Sequence, residues 1–298
     1  MKGKKLFLKI ISIICFLIII AIVIVFIESY RESRLIKISE YTINSSKIKC
    51  RNFKIAMISD YHNSKFPNNN KLLFDLIKKT KADIIIIAGD MITCKKNKYD
   101  KNIESLRVVN DLSKIAPVYY AFGNHELGAT GVNESVGNIW NDLKSELNED
   151  INVLVNKKQD LYDFNISICG LSIDPIFYKR YTKNELQINE INEKLGMLES
   201  DKFNILIAHS PEYFNTYSKW GADLILSGHN HGGLVRLPVL GGVISPKLKI
   251  FPQYDYGMFI KDKSIMILSN GLGSHTLKIR VNNKPEIVLI NINNGSMD

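Results

Sequence analysis

The chain has 298 residues, 45% of them hydrophobic, and a formal net charge of +9. That length fits one large domain or two small ones, and the hydrophobic share supports a packed core rather than a disordered chain. The lysines before residue 10 contribute +4 and Glu28 −1, leaving +6 spread thinly over the rest with no basic run; nucleic acid is therefore not an expected partner, whereas an anionic substrate or membrane surface suits the excess. Cys15, Cys50, Cys94 and Cys169 match no CxxC metal site and imply no complete disulfide framework.

The first element is "LFLKIISIICFLIIIAIVIVFIESYR", in which Ile10 to Ile27 are 18 residues without a charge. At about 1.5 Å per residue, adding Leu6 to Leu8 gives roughly the length that crosses a bilayer core of about 30 Å. A buried core helix is rarely apolar on every face. A cleaved signal peptide has a shorter apolar region and small residues at its cleavage site, and "FIESYRESR" offers no such site. The expected organisation is a transmembrane anchor over residues 1–28, a linker over 29–49 that can supply an edge strand through "SEYTI", and a domain over 50–298. Lys2, Lys4, Lys5 and Lys9 form a denser cluster than Arg31, Arg34 and Lys37, which alternate with Glu28 and Glu32. Basic residues stay in the cytoplasm. A single pass is expected, with the N-terminus cytoplasmic and the large domain extracytoplasmic.

From residue 50 short apolar runs alternate with helical patterns. "FKIAMISD" predicts a strand and "NNNKLLFDLIKKTKA" a helix begun by an Asn cap. "DIIIIAGD" has the continuous β-branched pattern of a strand buried on both faces. "YDKNIESLRVVNDLSKIA" predicts a helix, "PVYYAFGN" a strand, "NESVGNIWNDLKSELNED" a helix, then "INVLVN" and "FNISICGL" two strands. "TKNELQINEINEKLGMLES" predicts a helix, "FNILIAHS" a strand, "PEYFNTYSKW" a short helix with Pro at its start and "ADLILSGH" a strand. Beyond residue 233 the chain is loop-like, then "YGMFIKDKSIMILSNG" resembles an antiparallel hairpin and "EIVLINI" a last strand. The alternation argues for an α/β fold. The antiparallel tail implies a mixed sheet or a second sheet packed on the first.

Five predicted strands end in residues of metal-ligand type: Asp60 and His62, Asp90, Asn124 and His125, His209, and His229 and His231. In an open α/β sheet ligands bind beyond the carboxyl ends of the strands, so these side chains converge on one edge. A lone strand-end aspartate is usually a helix cap, and a lone histidine usually a satisfied structural group. Five of six histidines at these ends argue for one shared site. Oxygen and imidazole donors without thiolate suit Mn, Fe or Zn. Two carboxylates, an amide oxygen and four imidazoles are too many for one ion. Two ions about 3.5–4 Å apart fit better, with one carboxylate bridging them.

At this point the chain resembles the calcineurin-like metallophosphoesterases. The motifs stand as Asp60-x-His62, Gly89-Asp90, Gly123-Asn124-His125-Glu126, His209 and Gly228-His229-Asn230-His231, over about residues 52 to 232. "GHNHGGLVRLP", "NGLGSH" and "KPEIVLI" extend the likeness to a membrane-anchored bacterial branch of the YkuE and YaeI types, in which Asn230 and Leu234 replace the usual Thr and Gln. The resemblance implies a fold of two packed mixed β-sheets flanked by helices, a four-layer αββα sandwich, here preceded by the transmembrane helix. It implies that one metal takes Asp60, His62 and His231, that the other takes Asn124, His209 and His229, and that Asp90 bridges. It also implies that His125 binds no metal and meets the substrate phosphate or leaving group.

The expected function is a membrane-anchored, dinuclear-metal phosphoesterase acting on a phosphodiester, pyrophosphate or phosphomonoester bond in a lipid head group or cell-envelope component. Two divalent ions (manganese, iron or zinc) neutralise phosphate oxygens and lower the pKa of a bridging water from about 15.7 towards neutrality, so that hydroxide attacks in line. Arg236, His275, Lys278 and Arg280 are candidates for contact with an anionic, possibly lipid-linked, substrate, against the plainer reading of surface charge. Asp174 reads as a turn or cap residue, and Cys94 as incidental. Alternatives are a cytoplasm-facing nucleotide or UDP-sugar-lipid hydrolase of the same chemistry, and a non-catalytic scaffold with the same fold.

Overall fold

A computed structural model describes residues 2–94, 103–130, 139–179, 182–233, 236–237, 241–243, 250–274 and 280–295. Helix α1 (Lys2–Glu32) is 31 residues long and its apolar window is 0% buried. Among the described residues it is the one helix long and apolar enough to cross a membrane.

Two six-stranded mixed sheets follow. The strands are β1 (Lys37–Asn44), β2 (Asn52–Ile58), β3 (Ile84–Ala88), β4 (Val118–Ala121), β5 (Asn152–Leu154), β6 (Lys157–Leu161), β7 (Ile166–Leu171), β8 (Phe203–Ala208), β9 (Leu224–Ser227), β10 (Arg236–Leu237), β11 (Gly241–Gly242), β12 (Gly257–Lys261), β13 (Ser264–Leu268) and β14 (Glu286–Asn293). The first sheet runs β1-β14-β2-β3-β4-β5, the second β12-β13-β9-β8-β7-β6, and β10 pairs with β11. Strands β2 to β5 are mutually parallel, as are β7, β8, β9 and β13. Segment 37–44, read from sequence as linker with an edge strand, is β1, paired in parallel with β14 along its length.

The helices are α2 (Lys71–Thr80), α3 (Ile103–Ser113), α4 (Asn124–Ala129), α5 (Ile139–Lys144), α6 (Ile188–Leu195) and α7 (Phe214–Trp220). The side-chain period of a strand explains the layers. In β3, Ile84 and Ile86 pack between the sheets with Ile205, Ile207 and Leu224, while Ile85 and Ile87 pack outward on Leu73, Ile77 and Leu106 of α2 and α3. In β8, Leu206 and Ala208 face Ile191, Leu195 and Tyr217 of α6 and α7. The order is therefore helix, sheet, sheet, helix, the sandwich expected.

Several element extents differ from the sequence reading. The helix expected over 182–200 is confined to Ile188–Leu195. Gln187 begins it, with its backbone N–H donating to the Glu190 carboxylate at 2.8 Å, and Gly196 ends it at φ 71°. Besides the β10–β11 pair, in a segment read as loop-like, β6 and α4 had no counterpart in that reading. β6 is a polar edge strand, "KKQDL", without a hydrophobic face to betray it. α4 is a six-residue helix that starts on Asn124. Asp174 is a cap, its Oδ1 accepting from the Ile176 N–H at 2.8 Å.

Candidate metal centre

The parallel strands deliver their carboxyl ends to one edge of the sandwich. Asp60 and His62 follow β2, Asp90 follows β3, and Asn124 and His125 follow β4 in the first sheet. His209 follows β8, and His229 and His231 follow β9, in the second. The sharp turns that reverse each side chain into the site use left-handed backbone. Asp60, His62, Asp90, His229 and His231 all have φ between 48° and 72°. Asp and His are among the residues that tolerate this region best. Two glycines leave the room required. A Cβ on Gly123 would run into the Asp90 carboxylate, and one on Gly228 into that of Asp60.

Among the described residues, three groups of donor atoms lie close enough to hold a metal ion: Asp60, His62 and His231; His62, Asp90 and His125; and Asp90, His209 and His229. All seven residues are buried or nearly so, with His231 the most accessible side chain at 12%. Nε2 of His231 lies 3.5 Å from Asp60 Oδ1, and Nε2 of His62 lies 3.8 Å from both Asp60 Oδ1 and Asp90 Oδ2. Nε2 of His209 lies 3.1 Å from Asp90 Oδ2 and 3.8 Å from Asp60 Oδ1. Asp90 thus reaches both the His62 side and the His209–His229 side.

The outer nitrogens are already committed. His209 Nδ1 is 2.7 Å from the Ala88 carbonyl and His231 Nδ1 is 3.2 Å from that of Gly273. A Nδ1–H donated to a carbonyl fixes the tautomer that turns an unprotonated Nε2 inward, as metal-ligating histidines do. Oδ1 of Asn124 is buried with no hydrogen-bond partner among the described residues. Buried acceptors in that state are costly unless a cation or donor meets them. The donor set, all oxygen and imidazole, fits divalent Mn, Fe or Zn.

Electrostatics agree. Burial by itself raises the Asp90 carboxyl, but the His209, His125 and His62 imidazoles outweigh it and hold the group well below the usual range. Burial lowers His209, and the Asp90 and Asp60 carboxylates overcome this and push it up to about 10. His231 goes the other way, lowered chiefly by burial. The carboxylates therefore recruit positive charge, which a proton supplies in the metal-free protein and a cation replaces when it binds.

His125 is placed differently from the other four. Its ring packs edge-on to His62 at 4.9 Å between centroids. Its Nδ1 lies 2.9 Å from the Cys94 N–H and 3.2 Å from the Cys94 carbonyl. Accepting from that N–H puts the ring proton on Nε2. Cys94, incidental by sequence, thus holds His125 through its backbone.

Glu126 is the functional residue whose role the sequence did not disclose. Its carboxylate accepts from the backbone N–H groups of Asp90, Met91, Ile92 and Gly123 and from the Tyr120 hydroxyl, at 2.7–3.3 Å. It ties the turn after β3 to the turn after β4. The signal was its place beside the ligands in "GNHE". Tyr178, also unmarked by sequence, packs its ring on His229 at 5.3 Å.

The candidate substrate residues divide. Arg280 is buried, and its guanidinium donates to the carbonyls of Asn270, Gly271, Gly273 and Asn283 and to Ser274 Oγ. Burial lowers it to about 10. Arg236 donates to the Gly232 carbonyl and pairs with Asp255 at 3.0 Å. His275, Lys278 and Leu234 lie outside the described residues.

The family model for calcineurin-like phosphoesterases matches residues 53–233. YkuE of Bacillus subtilis, an uncharacterized metallophosphoesterase, is 27% identical over 269 residues, covering 88% of this chain and 87% of its own. The phosphodiesterase YaeI of Escherichia coli is 24% identical over 248 residues, covering 80% and 82%. An uncharacterized metallophosphoesterase of Campylobacter jejuni is 29% identical over 244 residues; the match covers 81% of this chain and only 59% of that longer protein. Among solved structures, the Haemophilus influenzae NAD nucleotidase aligns with a TM-score of 0.43 and 18% identity, covering 74% of this chain and 45% of its own.

Proposed function

We propose that this chain, which belongs to the calcineurin-like phosphoesterase family and is a hydrolase of phosphoesters, works with two divalent cations while anchored in a membrane by α1, on a phosphodiester, pyrophosphate or phosphomonoester of a lipid head group or cell-envelope component. The observation that carries the reading is Asp90, whose carboxylate belongs to donor groups on both sides of the site. Asp60, His62 and His231 hold one cation, Asn124, His209 and His229 the other, and Asp90 both. When bound, the cations supply charge neutralisation at phosphoryl oxygens and a lowered pKa for water. The chain's own residues do the rest. Glu126 fixes the turns that present Asp90 and Asn124. His125 acts on the leaving oxygen as general acid in its imidazolium form, passing on the Nε2 proton while Nδ1–H is donated to the Cys94 carbonyl, 3.2 Å away.

The anchor reading rests on an apolar window that is 0% buried. The lysine cluster of Lys2, Lys4, Lys5 and Lys9 supports an extracytoplasmic domain. A reporter fused after Asp298 and active only outside the cytoplasm checks the sidedness; cytoplasmic activity would reverse it and leave the chemistry untouched. For the chemistry, the full chain loaded in turn with Mn, Fe and Zn is assayed against nitrophenyl phosphomonoesters and phosphodiesters and UDP-linked lipids. Turnover with at least one metal is expected. Two bound ions with no turnover on any phosphoester would favour a non-catalytic scaffold.

A further inference from the structure

The end of α1 is built into the domain rather than tethered to it. Ser29 and Glu32, in its last turn, are 2% and 3% exposed. Ser29 Oγ accepts from the Arg280 N–H, and Glu32 Oε2 from the Asn283 N–H, each at 2.9 Å. Asn283 in turn donates to the carbonyls of His231 and Gly233, at 2.7 and 2.8 Å. Two hydrogen bonds therefore connect the helix end to the backbone of a metal-ligand candidate.

Beside this junction lies a cleft of about 410 Å³. Its wall includes Ser33 and Arg34 from the end of α1, His62 from the metal centre, Lys65, and the buried Arg280. Among the described residues its charged lining is cationic, with no carboxylate. Arg280 is occupied by carbonyls, whereas Arg34 and Lys65 are exposed, and among the described residues neither pairs with an acid.

The distance from the bilayer sets what can enter. The uncharged apolar run ends at Ile27, six positions before Ser33. At about 1.5 Å per residue the cleft rim stands roughly 9 Å beyond the hydrocarbon. The head-group layer is about 5–7 Å deep on each side, so lipid phosphates lie within reach of the rim. Tyr30 is 61% exposed and stacks under the Arg34 guanidinium at 4.3 Å. An aromatic and an arginine at a helix end are membrane-interface residues.

We propose that this cleft receives the phosphate-bearing head group of a lipid from the same membrane, and that Arg34 and Lys65 select it. The proposal rests on the phosphoesterase reading above for the fate of the lipid, though not for its binding. The phosphate enters between Arg34 and Lys65 with its acyl chains still in the bilayer and reaches the centre at His62.

Binding is tested apart from catalysis by native mass spectrometry of the full chain in detergent, offered phosphatidic acid and phosphatidylcholine. The wild type should retain phosphatidic acid at least tenfold better. Arg34→Ala/Lys65→Ala should lose that preference, and Lys4→Ala/Lys5→Ala, which removes two cations from the opposite end of the helix, should keep it. Both pairs are exposed, so the fold should survive. Absent preference in the wild type, or equal loss in the two double variants, overturns the proposal. In a kinetic arm, phosphatidic acid in micelles should inhibit nitrophenyl ester hydrolysis at least tenfold more strongly than glycerol 3-phosphate. Equal inhibition would mean free phosphoesters are taken from solution and overturns membrane presentation. An inactive wild type that still retains phosphatidic acid through Arg34 and Lys65 would sink the phosphoesterase reading and leave this one standing.

Discussion

The middle and the carboxyl end of the same strands obey different physics. In mid-strand β3 and β8, Ile84, Ile86, Ile205 and Ile207 are at most 4% exposed and lock the two sheets together in extended backbone. A few residues beyond β2, β3 and β9, Asp60, His62, Asp90, His229 and His231 sit in left-handed backbone and crowd carboxylates and imidazoles together. Each strained residue costs on the order of 1–3 kcal/mol. Five of them approach the whole net stability of a domain, about 5–15 kcal/mol. The edge persists because the core dictates where the strands end. Burying each large side chain contributes about 1.5–3 kcal/mol, and none of that depends on the site being filled.

The comparison breaks most sharply at Asp90. Asp90→Asn preserves shape, including the Oδ1 that accepts from the His125 N–H at 2.9 Å, and removes one negative charge. Loss of at least one cation and a fall in kcat of about 10³-fold or more is expected, since a metal contributes several kcal/mol to the transition state. The apparent Tm of the metal-free protein should move little by comparison. Elemental analysis showing two full-occupancy ions in the variant would refute the shared-ligand role.

His125→Asn tests the edge without touching the cations. Both ions should remain, and kcat should drop by roughly 10²- to 10⁴-fold, the range for general acid catalysis. The drop should shrink for nitrophenolate, a leaving group that needs little protonation. A variant that loses a metal makes His125 a ligand, and one that keeps full activity on a poor leaving group has no acid there.

A core substitution should give the mirror image. Ile168 of β7 is fully buried between the sheets, on a strand that carries no candidate ligand. Ile168→Ala should cost about 2–5 kcal/mol of stability, read as a lower Tm, while metal content and kcat of the folded fraction stay at wild-type values. A parallel loss of bound metal would show that strain at the edge draws on this part of the core directly.

The same contrast explains what the sequence made legible. The candidate ligand set could be picked out because each member follows an apolar run, and parallel strands leave their ends on one side. The α/β alternation followed from the runs themselves, since "DIIIIAGD" has no polar face to give to solvent, and the sandwich from the family resemblance. What could not be read depends on tertiary contact. Nothing local says that Glu126 gathers four backbone N–H groups, or that Ser29 and Glu32 dock on residues about 250 positions away. Arg280 looks like a substrate cation in sequence and is a clamp on four carbonyls in the fold.

The smallest effect separates strain that serves the site from strain that does not. Lys81 ends α2 in left-handed backbone at φ 49°, exposed and far from any ligand in the chain, with its N–H donating to the Lys78 carbonyl. This is the position where helices most often place glycine. A left-handed non-glycine residue costs about 1–2 kcal/mol, and glycine gives back about 0.4–1 kcal/mol through the freer unfolded chain. Lys81→Gly should therefore gain up to about 1.5 kcal/mol, a rise of a few degrees in Tm for a domain of this size. His62→Gly relieves the same kind of backbone strain, at φ 48°, but removes an imidazole from two of the three donor groups. It should stabilise the metal-free protein no more than Lys81→Gly does, and it should reduce the rise in Tm on adding Mn that the Lys81 variant keeps in full. If Lys81→Gly is neutral or destabilising, left-handed backbone carries little cost in this fold, and the strain assigned to the ligand turns falls with it.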